Sequence, residues 1–372
     1  MKATSSSAPP GAVLAGRSSA EREAEAQTAE AERFARARAF VWASLLTFFA
    51  LLGGVLVVNT VVDPFQLVGT GLLPPAVEND RSTKLTLIDE LEEPPEILIL
   101  GNSRARQAEP GYLEQLTGRS GFNAGFTGGT AADAWVTSNH LQRRLPLENR
   151  GVIWFVDVHI ATHGVNPSLA ADPRAEPYLA GEHGFGLDDV GTYLGTEATG
   201  ASLRVLLGCV TRLCRPAYGP IFLADGSIDP STLQRLPEYE RAAELRSSVQ
   251  ELVRRVRTRP PRGRRIVPRR FTYFERTLAF MNEHGTTPVL VLNPVHPAVL
   301  VELRKHGHPE RRSALRYLRS LRERYDFVFV DAEDIRAWGG STGDFANANH
   351  VNRRNMRRLL EYIVARSRGA LG

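Results

Sequence analysis

The sequence predicts an α/β protein: a parallel sheet with helices on both faces, preceded by one N-terminal transmembrane helix. Three observations carry this expectation. Residues 39–62 contain no charged side chain. Two short apolar runs, Ile97–Leu100 and Val152–Val156, read as strands buried on both sides. Around and beyond them, strand-like and helix-like segments alternate as far as Arg366, the pattern of βαβ units.

The opening residues, Met1–Glu32, are rich in Ala, Ser and Glu and lack a large apolar face. Their Ser-Pro-Gly portion is expected to be disordered, and Ala20–Ala37 to form a polar helix that extends the membrane helix inward. Residues 1–38 thus read as a cytoplasmic polar tail. At about 1.5 Å per residue, Ala39–Val62 can cross a hydrocarbon core about 30 Å thick. Trp42 suits the headgroup interface at one end. The run is longer than the apolar core of a cleaved signal, and no small-x-small cleavage site precedes Asp63, so an uncleaved signal anchor is expected. Arg33, Arg36 and Arg38 precede the span. The positive-inside tendency then puts the N-terminus in the cytoplasm and the chain beyond Asp63 outside it, in the cell envelope.

Residues 63–95 read as a juxtamembrane link and 96–372 as the α/β domain. Strand Ile97–Leu100 is followed by a short helix, Gly111–Thr117. Gly121–Ala124 leads into a glycine-rich turn, and Ala131–Arg144 is a helix before strand Val152–Val156. Later come helix Phe271–His284, strand Pro288–Leu292, helix Arg311–Tyr325, strand Phe327–Val330 and helix Asn352–Arg366. The interval of about 158–270 is too long for an ordinary loop. It reads as a partly helical insertion over the carboxyl edge of the sheet.

Composition narrows the function. The net charge is +5, yet nine arginines fall within Arg254–Arg270, and elsewhere the charges largely balance. That stretch reads as a solvated or lipid-facing edge, and nucleic acid is not an expected partner. Cys209 and Cys214 are the only cysteines. Without a second pair they do not suggest zinc, leaving a local disulfide or two reduced, half-buried thiols. Asp157 and His159 have no third ligand placed by spacing, and His163 and His183 have no defined partners. Neither metal nor cofactor is expected.

Three motifs carry chemistry. Gly101-Asn102-Ser103 ends the first strand, where a turn can lift a hydroxyl above the strand ends. The same residues also suit a plain turn and helix cap. Asn123-Ala-Gly125-Phe-Thr-Gly128-Gly129-Thr130 can point N–H groups into a site at a helix N-terminus. Asp344-Phe-Ala-Asn347-Ala-Asn-His350 places an imidazole on a loop just before the last helix. In that order they supply nucleophile, anion donors and base. Asn293-Pro-Val-His296-Pro follows a buried strand on the same edge, so Asn293 and His296 are candidate substrate contacts, a rigid surface loop being the simpler reading. Asp331 reads as a strand-end turn residue, or as a group orienting His350.

On these motifs the chain resembles the SGNH/GDSL hydrolase superfamily, particularly its membrane-anchored branch associated with bacterial cell-surface polysaccharides. Gly101-Asn-Ser103 resembles the nucleophile block, with Asn102 where Asp or Ser is usual. Asn123-x-Gly125-x-x-Gly128-x-Thr130 resembles the second block, which makes Gly128 the oxyanion glycine, and His350 matches the base. The resemblance implies a flavodoxin-like three-layer fold and an esterase or O-acyltransferase acting on acyl esters of an extracytoplasmic glycan. It also implies membrane-bound acyl-transfer or polysaccharide-export partners.

Two departures accompany it. Asn347 stands where the family carries the aspartate three residues before the histidine, so either Asp344 or Asn347 is expected to orient His350. Asp157 stands within Val156-Asp157-Val158-His159, in place of the Gly-x-Asn-Asp of the third block, which leaves Asn102 or an insertion residue to complete the oxyanion site. These departures equally suit a catalytically impaired module that binds glycan or scaffolds an export system.

Overall fold

A single unbroken helix, α1 (Ser19–Val62), joins the polar tail to the apolar run. The computed structural model describes residues 19–76, 79–158, 164–179, 187–212, 214, 221–232, 237–261, 272–367 and 369–371. These fall into two units that divide after Val57. In the first unit, Glu32 and Arg36 pair at 2.7 Å one turn apart on the polar section. Past Arg38, side chains such as Phe40, Leu46 and Phe49 stand exposed. The helix is long and apolar enough to span a membrane.

The second unit is built on five parallel strands: β1 (Ile97–Gly101), β2 (Gly121–Gly125), β3 (Gly151–Val156), β4 (Val289–Leu292) and β5 (Val328–Asp331). They lie in the order β2-β1-β3-β4-β5. Registers such as Leu98↔Val152 and Leu100↔Trp154 put alternate residues on opposite faces. The helices that cover those faces are α2 (Asp80–Glu90), α3 (Pro110–Thr117) and α4 (Ala131–Arg144). The insertion then contributes α5 (Pro167–Ala170), α6 (Leu187–Tyr193), α7 (Thr196–Arg212) and α8 (Glu238–Thr258). They are followed by α9 (Thr272–Glu283), α10 (Pro297–Lys305), α11 (Pro309–Leu321) and α12 (Arg353–Arg366).

One face of the sheet, with Leu98, Leu100 and Trp154, forms a core with residues of α2, α4, α9 and α11. The other, with Ile97, Ile99 and Phe155, packs against α3 and α12. The apolar character of β1 and β3 follows from this double burial. β2 and β3 lie on opposite sides of β1, so the connections that leave the carboxyl ends of β1, to β2, and of β3, to β4, run in opposite directions. A crevice at such a reversal is where open α/β sheets bind ligands.

Several boundaries differ from the expectation. Residues 63–95 are not merely a link, because they contain α2, whose Leu85 and Ile88 are fully buried in the core. Asn79 caps it by accepting from the Arg81 and Ser82 N–H groups. Helix α10 and a hairpin of β6 (Phe345–Asn347) and β7 (His350–Val351) were not anticipated either. The described residues of the insertion include helices α5 to α8, and one segment of it lies along the open side of β2. Asp225 O accepts from the Asn123 N–H at 2.8 Å, closing the exposed side of β2. Cys209 and Cys214 form a disulfide. Of the arginine-rich stretch, the described part ends α8, where Arg257 meets Glu302 at 3.0 Å. Positions 262–270, with His159, His163 and His183, lie outside the described residues.

Candidate active site

Glycine at the end of β1 is what lets the chain turn. Gly101 has φ +145°, and a Cβ there would lie 2.8 Å from both Cβ and O of Phe155. Asn102 then tightens the turn: its Oδ1 accepts from the Arg104 N–H at 3.0 Å and its carbonyl from the Ala105 N–H at 2.9 Å. Ser103 is left half-buried at the crevice.

The imidazole arrives on the β6–β7 hairpin. Asn347 Oδ1 accepts from the Asn349 N–H at 3.0 Å and the His350 N–H at 3.1 Å. Two main-chain donors identify that atom as the oxygen, so the His350 Nδ1 that meets it at 2.9 Å carries the proton. Nε2 therefore presents its lone pair, and Ser103 Oγ lies 2.8 Å from it and donates. Burial, reinforced by the charges of Arg104 and Arg106, pulls the His350 pKa down to about 4. The imidazole is neutral at pH 7.

The loop after β2 closes over the nucleophile turn. A Cβ on Gly129 would fall 2.4 Å from the Gly101 carbonyl, so only glycine permits this approach. The loop is held from below by α2. Arg81 donates to Asp133 Oδ1 at 2.6 Å and to the Gly128 carbonyl at 3.4 Å. Asp133 in turn completes a capping box with Thr130 at the start of α4. Asp80 accepts from the Thr127 N–H at 2.8 Å. Lys84, fully buried, donates to the Gly125 carbonyl at 2.6 Å, and burial lowers its pKa to about 7. Among the described residues, no hydrogen bond occupies the Ser103 or Gly128 N–H.

The Arg81–Asp133 pair is almost wholly inaccessible, with 5% and 1% of the side chains exposed. Removing one member leaves an uncompensated buried charge. Arg81→Ala is therefore expected to lower unfolding stability by about 3–5 kcal/mol, read by chemical denaturation.

A cleft of about 340 Å³ gathers Asn102, Ser103, Arg104, Gly128, Asp157, Asn349 and His350 at the carboxyl ends of β1 and β3. Asp157 accepts from Asn102 Nδ2 at 2.5 Å and lies 3.8 Å from Arg104. The Asn102 amide is thereby engaged with a carboxylate, and Asp157 Oδ1 has no hydrogen-bond partner among the described residues.

Other candidates fall elsewhere. Asp344 does not touch His350 but accepts from Arg358 at 2.8 Å and from Asn352 Nδ2 at 3.2 Å. Burial alone would raise its pKa, and those two hydrogen bonds outweigh it and hold the carboxyl below its ordinary value. Asn123 is buried and structural, donating to the Ala105 and Ala108 carbonyls at 3.0 and 2.6 Å. Asn293 is buried and absent from the cleft wall. His296 caps α10 by accepting from the Ala298 N–H at 3.3 Å and packs edge-on against Phe345. Asp331 pairs with Arg311.

Arg81, Lys84, Arg104 and Asn349 were not singled out by sequence. The signal for the first two was present: two cations three apart on a helix whose apolar residues share their side.

A hydroxyl that donates to an imidazole, itself oriented by a third group, is a nucleophile–base arrangement. No family model matches the chain, and no curated protein matches it.

Proposed function

We propose that the protein is a membrane-anchored, SGNH-like serine esterase or O-acyltransferase acting on acyl esters of an extracytoplasmic glycan. The observation that carries this reading is the contact of Ser103 Oγ with His350 Nε2 at 2.8 Å, with Asn347 on the opposite ring nitrogen. Ser103 attacks the acyl carbonyl while His350 takes its proton. The N–H groups of Ser103 and Gly128 receive the tetrahedral oxyanion. His350 then returns the proton to the departing sugar oxygen. Water, or a hydroxyl of a second sugar, releases the acyl group from Ser103. The apolar helix α1 supports anchoring, and the Cys209–Cys214 disulfide supports an oxidising compartment outside the cytoplasm. Acyl-donating or polymer-exporting membrane proteins are the partners this chemistry calls for.

The test uses the full chain in detergent with an aryl acetate and with an acetylated sugar oligomer. A burst of phenol followed by acetate release, or acetyl transfer to the oligomer, is the expected outcome. Failure of folded protein to turn over either ester favours a second reading, glycan binding without turnover. Two observations speak for that alternative: an amide rather than a carboxylate beside His350, and the carboxylate of Asp157 in the cleft.

The pH dependence carries a definite sign. An imidazole with its pKa near 4 remains a base well below neutrality, so the acid limb of kcat/KM is expected near pH 4. The ordinary value is near 6.5. Between those two pH values the unfolded chain binds the proton and the folded one does not. The stability contribution is therefore complete above about 6.5 and is lost as pH falls toward 4. Rate profiles and denaturation curves across that window check both.

A further inference from the structure

The insertion helix α7 presents two faces of opposite character. Ala198, Ala201, Ser202 and Val205 are buried. On the other side Leu203, Leu206, Leu207 and Val210 are exposed, by 55%, 38%, 64% and 82%. Their spacing of three, four and seven makes one continuous apolar stripe. A water-facing helix does not ordinarily leave such a row uncovered.

The position of α7 names the occupant. Asn59, in the last turn of α1, donates through Nδ2 to the Tyr193 carbonyl at 2.6 Å and to Thr199 Oγ1 at 3.1 Å. Thr199 lies one helical turn before Leu203, on the stripe's flank. Further contacts order the start of the second unit. Asp63 is buried, and its carboxylate accepts from the N–H groups of Leu67, Val68, Gly69 and Thr70 at 2.7–3.3 Å and from the Tyr193 hydroxyl. Leu72, just beyond that loop, is itself 68% exposed. Within the second unit, the apolar stripe therefore begins beside the last turn of a helix that is long and apolar enough to span a membrane.

We propose that α7 lies in the membrane interface next to the end of α1, with the Leu203–Val210 stripe and Leu72 in contact with lipid acyl chains. This rests on the reading of α1 as membrane-spanning. The second unit is then held to the bilayer by an interfacial helix as well as by its anchor. Amphipathic helices in this setting seat their apolar face about 5–10 Å into the headgroup–acyl boundary.

The test reconstitutes the full chain in phosphatidylcholine–phosphatidylglycerol vesicles, with the native disulfide oxidised. An environment-sensitive fluorophore is attached at Leu203→Cys or Leu206→Cys. Val301→Cys, on an exposed position of α10, is the water-facing control, and Leu46→Cys reports on α1. Lipids brominated high on the acyl chain are expected to quench positions 203 and 206 several-fold more than position 301, and more than lipids brominated near the chain end do. Quenching at 46 with none at 203 or 206 overturns the proposal and leaves the anchor standing. No quenching at 46 overturns the anchor and the proposal with it.

Discussion

His350→Ala is expected to reduce turnover of an aryl acetate by about 10²–10⁴-fold, the range over which a positioned general base acts. Ser103→Ala is expected to remove the covalent step altogether. The Ser103→Ala/His350→Ala double variant is expected to be no worse than the more damaging single change, because the two groups act as one unit. Neither side chain contributes to the two cores on the sheet faces, so both single variants are expected to remain folded, with a cooperative unfolding transition like that of the unaltered protein. Full activity in either single variant would contradict the assigned roles.

Asn347→Asp is expected to gain activity. An amide at this position in a serine protease costs about 10⁴, chiefly because it selects the wrong histidine tautomer. That part of the loss does not apply here, since two main-chain N–H groups hold the Asn347 oxygen toward Nδ1. What the amide lacks is charge. A carboxylate within hydrogen-bond distance of an imidazole raises its pKa by about 1–3 units. The acid limb should move up from about 4 by that amount. The transition state, in which His350 is cationic, gains to a similar degree, so turnover is expected to rise about 10–10³-fold. Arg104 and Arg106 presently work in the opposite direction. Turnover and pH profiles of Asn347→Asp beside Asn347→Ala separate charge from orientation: the alanine variant loses both, and an aspartate variant with an unshifted limb contradicts the assignment.

What could be read in advance follows from how each residue's role is encoded. Strands β1 and β3 were legible because burial on both faces leaves nearly uninterrupted apolar runs. The serine and the histidine were legible as candidates because a Gly-Asn-Ser turn and a late Asn-Ala-Asn-His loop both belong at the carboxyl edge of a sheet whose strand order reverses. Helix α2 was not. Its pattern, Asp-Arg-Ser-Thr-Lys, reads as solvated, yet Arg81 and Lys84 are buried because Asp133 and the Gly125 and Gly128 carbonyls receive them. The three-residue spacing sets both cations on the side of Leu85 and Ile88, but the groups that receive them lie elsewhere in the chain.

The choice between Asp344 and Asn347 was equally closed to spacing. Charge favours the aspartate, but a three-residue separation across a tight hairpin sets Asn347 opposite His350, and Arg358 takes up Asp344. Asn123 illustrates the reverse error. Its motif suggests a cleft residue, whereas its amide stitches β2 to the chain after Ser103.

The central claim is that the Ser103 hydroxyl is activated by His350. Its most direct measurement is peptide mapping after the folded full chain is treated with a fluorophosphonate at neutral pH. The expected result is a single adduct on Ser103, absent in Ser103→Ala and formed much more slowly in His350→Ala. Folded protein that takes up no label, or carries it on another residue, would show that the hydroxyl and the imidazole meet without making a nucleophile.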